Sequence, residues 1–415
     1  MNNIQNNRRN FLKLTGTGMM ASLLPSSLLH AYTGGKNGKK LILLSLSGGC
    51  DTANIFVPYN ESNYYALRPT IAVAKKDVLV LNDTLGLNPK FTNLKKIWDN
   101  NHLALFPATH SGLHSNTSHF YQYDFFDSGS YVKNGENDMS TGWLARYFNA
   151  KYGTTKNLYA YNFVPKRKMF QHANTPAFEY SAPYNISLVA AQTKSHLQEM
   201  MEKKNRKGEA LKIENAQKSV FSLVNRLSGL GMEYAKTNTK LYNNFSNSIK
   251  ILNGISELEV IQLEHSGYDT HHDEAKRLEG VKGNDKKKGL FAELDEAIGH
   301  LYTTLEENGE LDNTLLVVHT EFGRTADENG SGGTDHGQAS AWFVIGGSVK
   351  GGQRGIWPGF AKNQLIQNAK TKRYYLKQET DYRDILSQAL DWLGGDAQKA
   401  FPGYVQNLKA NEIYL

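Results

Sequence analysis

The sequence predicts an α/β protein whose largely parallel sheet carries helices on both faces. Three observations predict it. Apolar runs of buried-strand length recur at residues 41–47, 103–107, 258–263, 314–318 and 341–345. Between them lie stretches with apolar positions at 3.6-residue spacing, such as LFAELDEAIGHLYTTL at 290–305, and strands alternating with helices build such sheets. Four of the runs also lead straight into polar clusters, where open α/β sheets form ligand sites.

Taken from the N-terminus, Arg8-Arg9 is followed by Asn10-Phe11-Leu12-Lys13 and a mild apolar stretch from Leu14 to Leu29, broken by glycines, threonines and Pro25. That stretch is too short and interrupted to span a bilayer, which needs about 20 predominantly apolar residues. It reads as a twin-arginine signal peptide over residues 1–31, cut near Ala31. The twin-arginine translocase is the implied partner. The mature chain is expected in the periplasm or at the cell surface, without a transmembrane anchor. A linker follows at 32–40, and 41–415 is expected to form one domain.

The composition, 40% apolar and 21% charged over 415 residues, is that of an ordinary globular protein. Removing residues 1–31, which hold Arg8, Arg9 and Lys13 and no acid, takes the formal charge from +7 to +4. That balance, and the absence of a recognisable module, argue against a nucleic-acid partner. One cysteine, Cys50, excludes an intrachain disulfide and reads as a small packing residue. Residues 193–253 are polar, Lys/Asn-rich and helically periodic. They read as a helical insertion beside the sheet, either covering one side of the site or forming a structural bundle.

The chain's 13 histidines concentrate in the clusters behind the strands. Asp51 follows two glycines, which permit close backbone approach to a ligand; it is a metal ligand or a turn aspartate. Asp335-His336 pairs a carboxylate with an imidazole, as divalent-metal sites do. Asp269 with His271 or His272 offers a second pair, of which one histidine faces the ion because adjacent extended residues point oppositely. Ser118 is the candidate nucleophile, with Thr117 as rival, since a metal or base can activate a hydroxyl; the alternative is a helix N-cap at Asn116 or Thr117. His110, His114 and His119 are further ligands or polar loop residues. Glu321 is a ligand or an anchor for Arg324. Arg324 either clamps an oxyanion bidentately or makes a structural salt bridge.

Several motifs together carry a resemblance: R-R-x-F-L-K, GGCDTANIFVPYN, YYALRPTIAV, NTSHF, GYDTH, TEFGRT, ENGSGGTDHG and DYRDILSQALDWLG. They resemble the exported bacterial family called domain of unknown function 1501, a remote branch of the alkaline phosphatase and sulfatase superfamily. The resemblance implies a three-layer α/β/α fold and hydrolysis of phosphate or sulfate esters. It also implies one or two divalent ions (zinc, manganese, magnesium or calcium). Asp51, Asp335 and His336 would match one metal site, Asp269 with His271 or His272 the second, and Ser118 the nucleophile. Anionic esters or glycans are the implied ligands. No histidine follows His336, and the second-site spacing is contracted to D-T-H. These departures weigh toward the alternative, a non-catalytic member acting in surface assembly or glycan or partner binding. The concentration of ligand types at strand ends weighs toward the enzyme.

Overall fold

The computed structural model describes residues 38–111, 117–129, 132–133, 136–137, 139–154, 158–164, 167–174, 177–186, 222–281, 288–407 and 413. Arg8 and Arg9, the rest of the signal segment, most of the linker, His114 and residues 193–221 of the expected insertion lie outside them.

A nine-stranded sheet forms the centre. Its main strands are β1 (Lys40–Ser47), β2 (Leu103–His110), β3 (Ala160–Asn162), β4 (Ala177–Glu179), β5 (Val260–Ser266) and β6 (Thr314–His319). A hairpin of β7 (Arg324–Glu328) and β8 (Thr334–His336) leads to β9 (Ser340–Ile345), followed by the short β10 (Gly352–Gln353) and β11 (Thr380–Asp381). The order is β10-β2-β9-β6-β1-β5-β3-β4, with β11 also pairing β2. All five apolar runs are strands. β1 pairs in parallel with both β5 and β6, and β9 alone runs antiparallel, between β6 and β2. The largely parallel expectation therefore holds. The exception arises because the chain returns from β6 through a hairpin rather than a crossover helix.

β1 shows why the sheet needs two helical layers. Ile42, Leu44 and Leu46 pack on one face with helices α2 (Thr92–Asp99), α5 (Lys240–Gly254) and α7 (Leu290–Glu307). Leu41 and Leu43 pack on the other with α4 (Trp143–Tyr152) and α8 (Tyr382–Trp392). Successive side chains alternate faces, so a continuous apolar run buries both. A Leu44→Ala cavity at this depth costs about 2–5 kcal/mol. Cys50 belongs to the first face, is 0% exposed, and has its thiol pKa pushed up by burial, which fits the packing role.

Part of the expected insertion is described. Residues 222–228 are helical, and α5 buries Leu241, Phe245, Ile251 and Leu252 in the core beside α7. This stretch forms part of the layer that leads into β5.

Parallel pairing puts the carboxyl ends of β1, β2, β5 and β6 along one edge. The antiparallel β9 starts there, and the β7–β8 hairpin folds over it. Helix α3 (His119–Ser128) begins at the same edge behind β2 and stops at Gly129, whose φ of 75° supplies a left-handed cap.

A candidate metal centre at the carboxyl edge

Two glycines shape the edge. Gly48 (φ 116°) lies so close to the β5 loop that a Cβ would sit 2.3 Å from the Asp269 amide nitrogen. A Cβ on Gly49 (φ 67°) would meet the Phe322 ring at 2.3 Å. Both φ values also favour glycine. The close approach foreseen for Gly48-Gly49 is thus made to other parts of the chain, drawing the loops after β1, β5 and β6 together.

Those loops converge on one group. His119, Asp269 and His336 present ligand atoms that all lie within 4.8 Å of one another. His119 Nε2 is 3.1 Å from His336 Nε2, and His336 Nε2 is 3.3 Å from Asp269 Oδ1. His271 joins from the other side, its Nε2 3.0 Å from His336 Nε2 and 3.3 Å from Asp269 Oδ1.

The other nitrogen of each ring fixes its protonation. His119 Nδ1 lies 2.7 Å from Glu321 Oε1, His336 Nδ1 2.8 Å from the Thr117 carbonyl, and His271 Nδ1 3.2 Å from Asp335 Oδ1. A carbonyl or carboxylate only accepts, so each Nδ1 carries the proton, a tautomer assigned from its partner. A neutral ring then leaves a bare lone pair on Nε2. His336, in the middle, is held neutral: burial first, then the charges of Arg324, His119 and His271, lower its pKa. The three Nε2 atoms thus crowd one carboxylate. Histidines anchored through Nδ1 are the usual arrangement around a metal.

The acids around the group are ionised. Burial opposes the charge on Asp269, but the hydrogen bond and charge of Arg324, then His119 and His271, hold its pKa at about 2. Glu321 is buried, yet its bond from His119 and the amide of Gly48 keep its pKa low. Asp335 is kept low against partial burial by Asn329, His271 and Arg373.

Several expected ligands have other uses here. Asp51 is 2% exposed and outside the group; both its oxygens are taken by the fully buried Arg68, at 2.5 and 3.0 Å. Asp335 orients His271 and pairs with Arg373 Nε at 3.0 Å. His272 is two-thirds exposed and faces Asp273, so His271 is the inward member of that pair.

Arg324 is not a free clamp. Its side chain is 0% exposed, and its N–H groups go to the carbonyls of Gly48, Gly49, Tyr268 and Thr334 and to Asp269 Oδ1, the last at 2.6 Å. It positions Asp269. Glu321 is likewise an anchor, though for His119 and Gly48 rather than Arg324.

Ser118 is the exposed N-cap residue of α3, one position after the assumed cap, and its side chain makes no capping bond. Thr117 next to it lends its carbonyl to His336. His110 ends β2 and is half-buried. His119, expected as a further ligand or a polar loop residue, lies in the group with Asp269 and His336. Sequence reasoning missed Arg68 and Glu274. Arg68 sits in the quoted YYALRP segment, where an arginine amid apolar residues was a usable signal; Glu274 gave none.

No curated protein matches the chain. Similar solved structures include the lipoteichoic acid synthase LtaP from Listeria monocytogenes, at TM-score 0.38 and 9% identity, covering 90% of this chain and 75% of that one. Another is the sulfatase PsFucS1 from Pseudoalteromonas sp., at TM-score 0.37 and 12% identity, covering 94% and 74%. A third is a Vibrio parahaemolyticus protein in the alkaline phosphatase superfamily, at TM-score 0.36 and 11% identity, covering 76% and 62%. Residues 105–408 match the family described as "Protein of unknown function (DUF1501)", and the chain belongs to that family.

Proposed function

We propose that this protein is an exported, metal-dependent hydrolase of phosphate or sulfate esters. The observation that supports it is the convergence of three Nδ1-anchored imidazoles on the Asp269 carboxylate. His119, His271, His336 and Asp269 would hold one divalent ion. Three imidazole nitrogens and one carboxylate suit zinc better than magnesium or calcium, which prefer all-oxygen shells. Such an ion supplies Lewis-acid polarisation of an ester oxygen and lowers the pKa of a nearby hydroxyl or water.

The chain's own groups would then divide the work. Glu321, Asp335 and the Thr117 carbonyl hold the three rings in their tautomers, and Arg324 holds Asp269 ionised and in place. Ser118 Oγ would attack phosphorus or sulfur, its proton leaving with the departing alcohol. Water would then release phosphate or sulfate and restore the serine. Export through the twin-arginine translocase to the periplasm or cell surface is supported by the Arg8-Arg9 motif. Among the described residues no helix is long and apolar enough to cross a membrane.

A second reading has its own support. Asp51, expected to hold an ion with Asp335 and His336, and Arg324, the expected oxyanion clamp, are both consumed in internal pairs. That favours a non-catalytic member keeping one ion for structure while binding a glycan or partner. Metal analysis of the purified protein beside a panel of phosphate and sulfate esters separates the readings. Metal with turnover that is lost in Ser118→Ala supports the hydrolase. Metal without turnover on any ester supports the second reading, and absence of metal removes both.

A further inference from the structure

Behind the histidine group lies a carboxyl group that no step above uses. Glu274, at the start of α6 (Glu274–Leu278), is 0% exposed. Its Oε2 accepts from the Thr270 hydroxyl at 2.9 Å and the Thr334 hydroxyl at 2.5 Å. Its Oε1 accepts from Asn54 Nδ2 at 3.2 Å. Thr270 sits between Asp269 and His271, and Thr334 directly precedes Asp335-His336. Every ligand except His119 is thus within two residues of a hydroxyl tied to this one carboxyl.

The same two segments also share backbone bonds. The Thr334 amide donates to the Thr270 carbonyl, and the Glu274 amide to the Gly332 carbonyl, each at 3.0 Å. On its far side, Glu274 leans on Asn54, whose Oδ1 accepts from the Tyr64 hydroxyl at 2.6 Å and from Arg68 at 3.0 Å. Burial, then the Asp51 charge, raises the Glu274 pKa well above the carboxylate range.

We propose that Glu274 is a positioning residue for the metal centre, its carboxyl tying the loop of Asp269 and His271 to the hairpin of Asp335 and His336. A hydroxyl has one proton to give, and both threonines spend theirs on the same oxygen. One hydroxyl from each ligand-bearing segment therefore meets on a single buried oxygen, beside the backbone bonds that join them. The proposal rests on the reading of the histidine–aspartate group as a metal centre.

The test is titration of the full chain with cobalt(II), whose visible absorption reports imidazole coordination. Amide exchange at Thr334 in the metal-free protein supplies a second readout. The decisive variant is Thr270→Val with Thr334→Val, which keeps side-chain volume and removes both hydroxyls. It should lose about 10- to 100-fold in cobalt affinity, as outer-shell changes typically do, shift the absorption band and exchange faster at Thr334. Glu274→Ala should lose at least as much. Glu274→Gln keeps an acceptor for both hydroxyls and should stay within about threefold of wild type, well inside that outer-shell range. Wild-type cobalt affinity and unchanged Thr334 exchange in the double variant overturn the positioning role while leaving the metal centre standing. Failure of the wild type itself to bind cobalt overturns the metal reading and the positioning role with it.

Discussion

Asp51 and Asp269 occupy matching places: each follows a glycine-containing turn at the carboxyl end of a parallel strand, and each pairs with a fully buried arginine. Their environments differ in one decisive respect. Asp51 is 2% exposed and gives both oxygens to Arg68, with Asn54, Tyr64 and Glu274 closing the network. Asp269 is 48% exposed and gives Oδ1 to Arg324, while Oδ2 points to His119 at 3.7 Å. The first network supplies its own cation and is complete. The second faces three imidazole nitrogens and stands partly open to solvent; as the proposed metal centre it would take its cation from outside. Charge satisfied internally makes structure; charge left open toward solvent makes a site.

The comparison can be broken at four points. The largest effect should come from the ligand in the middle: His336→Ala is expected to abolish metal binding, read by elemental analysis, while leaving the circular dichroism of the apo-protein unchanged. Retention of one ion per chain would dissolve the contrast. Next, Arg68→Met strands Asp51 without its partner, and breaking a buried pair in this way costs about 3–5 kcal/mol. Denaturant unfolding measures it, and a loss below about 1 kcal/mol, the range of exposed pairs, would deny the network its structural role.

Asp335→Ala sharpens the line between ligand and orienter. As the orienter of His271 it should weaken binding about 10- to 100-fold without abolishing it. Complete loss in a zinc competition assay would return Asp335 to the ligand set proposed from sequence. The smallest effect concerns pH. Because the Glu274 pKa is raised in the folded state, folding takes up a proton. The associated stability is full below the unfolded value of about 4.3 and falls as pH rises toward the folded value. Glu274→Gln cannot titrate, so its stability should decline less than wild type as pH rises above that unfolded value. Parallel stability curves for the two would refute the protonated carboxyl.

Much of the fold was legible because it rests on local pattern. Runs such as LILLSLS admit one reading when both faces are buried, and the periodicity of 290–305 marked α7 to within two residues. The antiparallel β9 was not legible, since direction depends on how the chain returns rather than on the strand's own residues. For the candidate site, the sequence singled out Asp269, His271 and His336, which the fold brings together. For Asp51 and Arg324 the sequence left two readings open, because a charged residue behind a strand looks the same whether it faces a ligand or a buried partner. Arg68 lies 17 residues beyond Asp51, and Glu274 lies 223 beyond it, separations no motif spans.

By itself, then, the sequence determined the twin-arginine motif, the α/β alternation, the family and the gathering of ligand-type side chains behind the strands. These follow from short-range spacing and composition. The tertiary structure decided which side chains share a charge. It gave Asp51 to Arg68 and Arg324 to Asp269, and it brought the Nε2 atoms of His119, His271 and His336 together. The physical reason is that burial and pairing are properties of packing. Two aspartates with equivalent places along their strands part company only when the folded chain brings both atoms of a carboxylate against a guanidinium, or leaves one of them facing water.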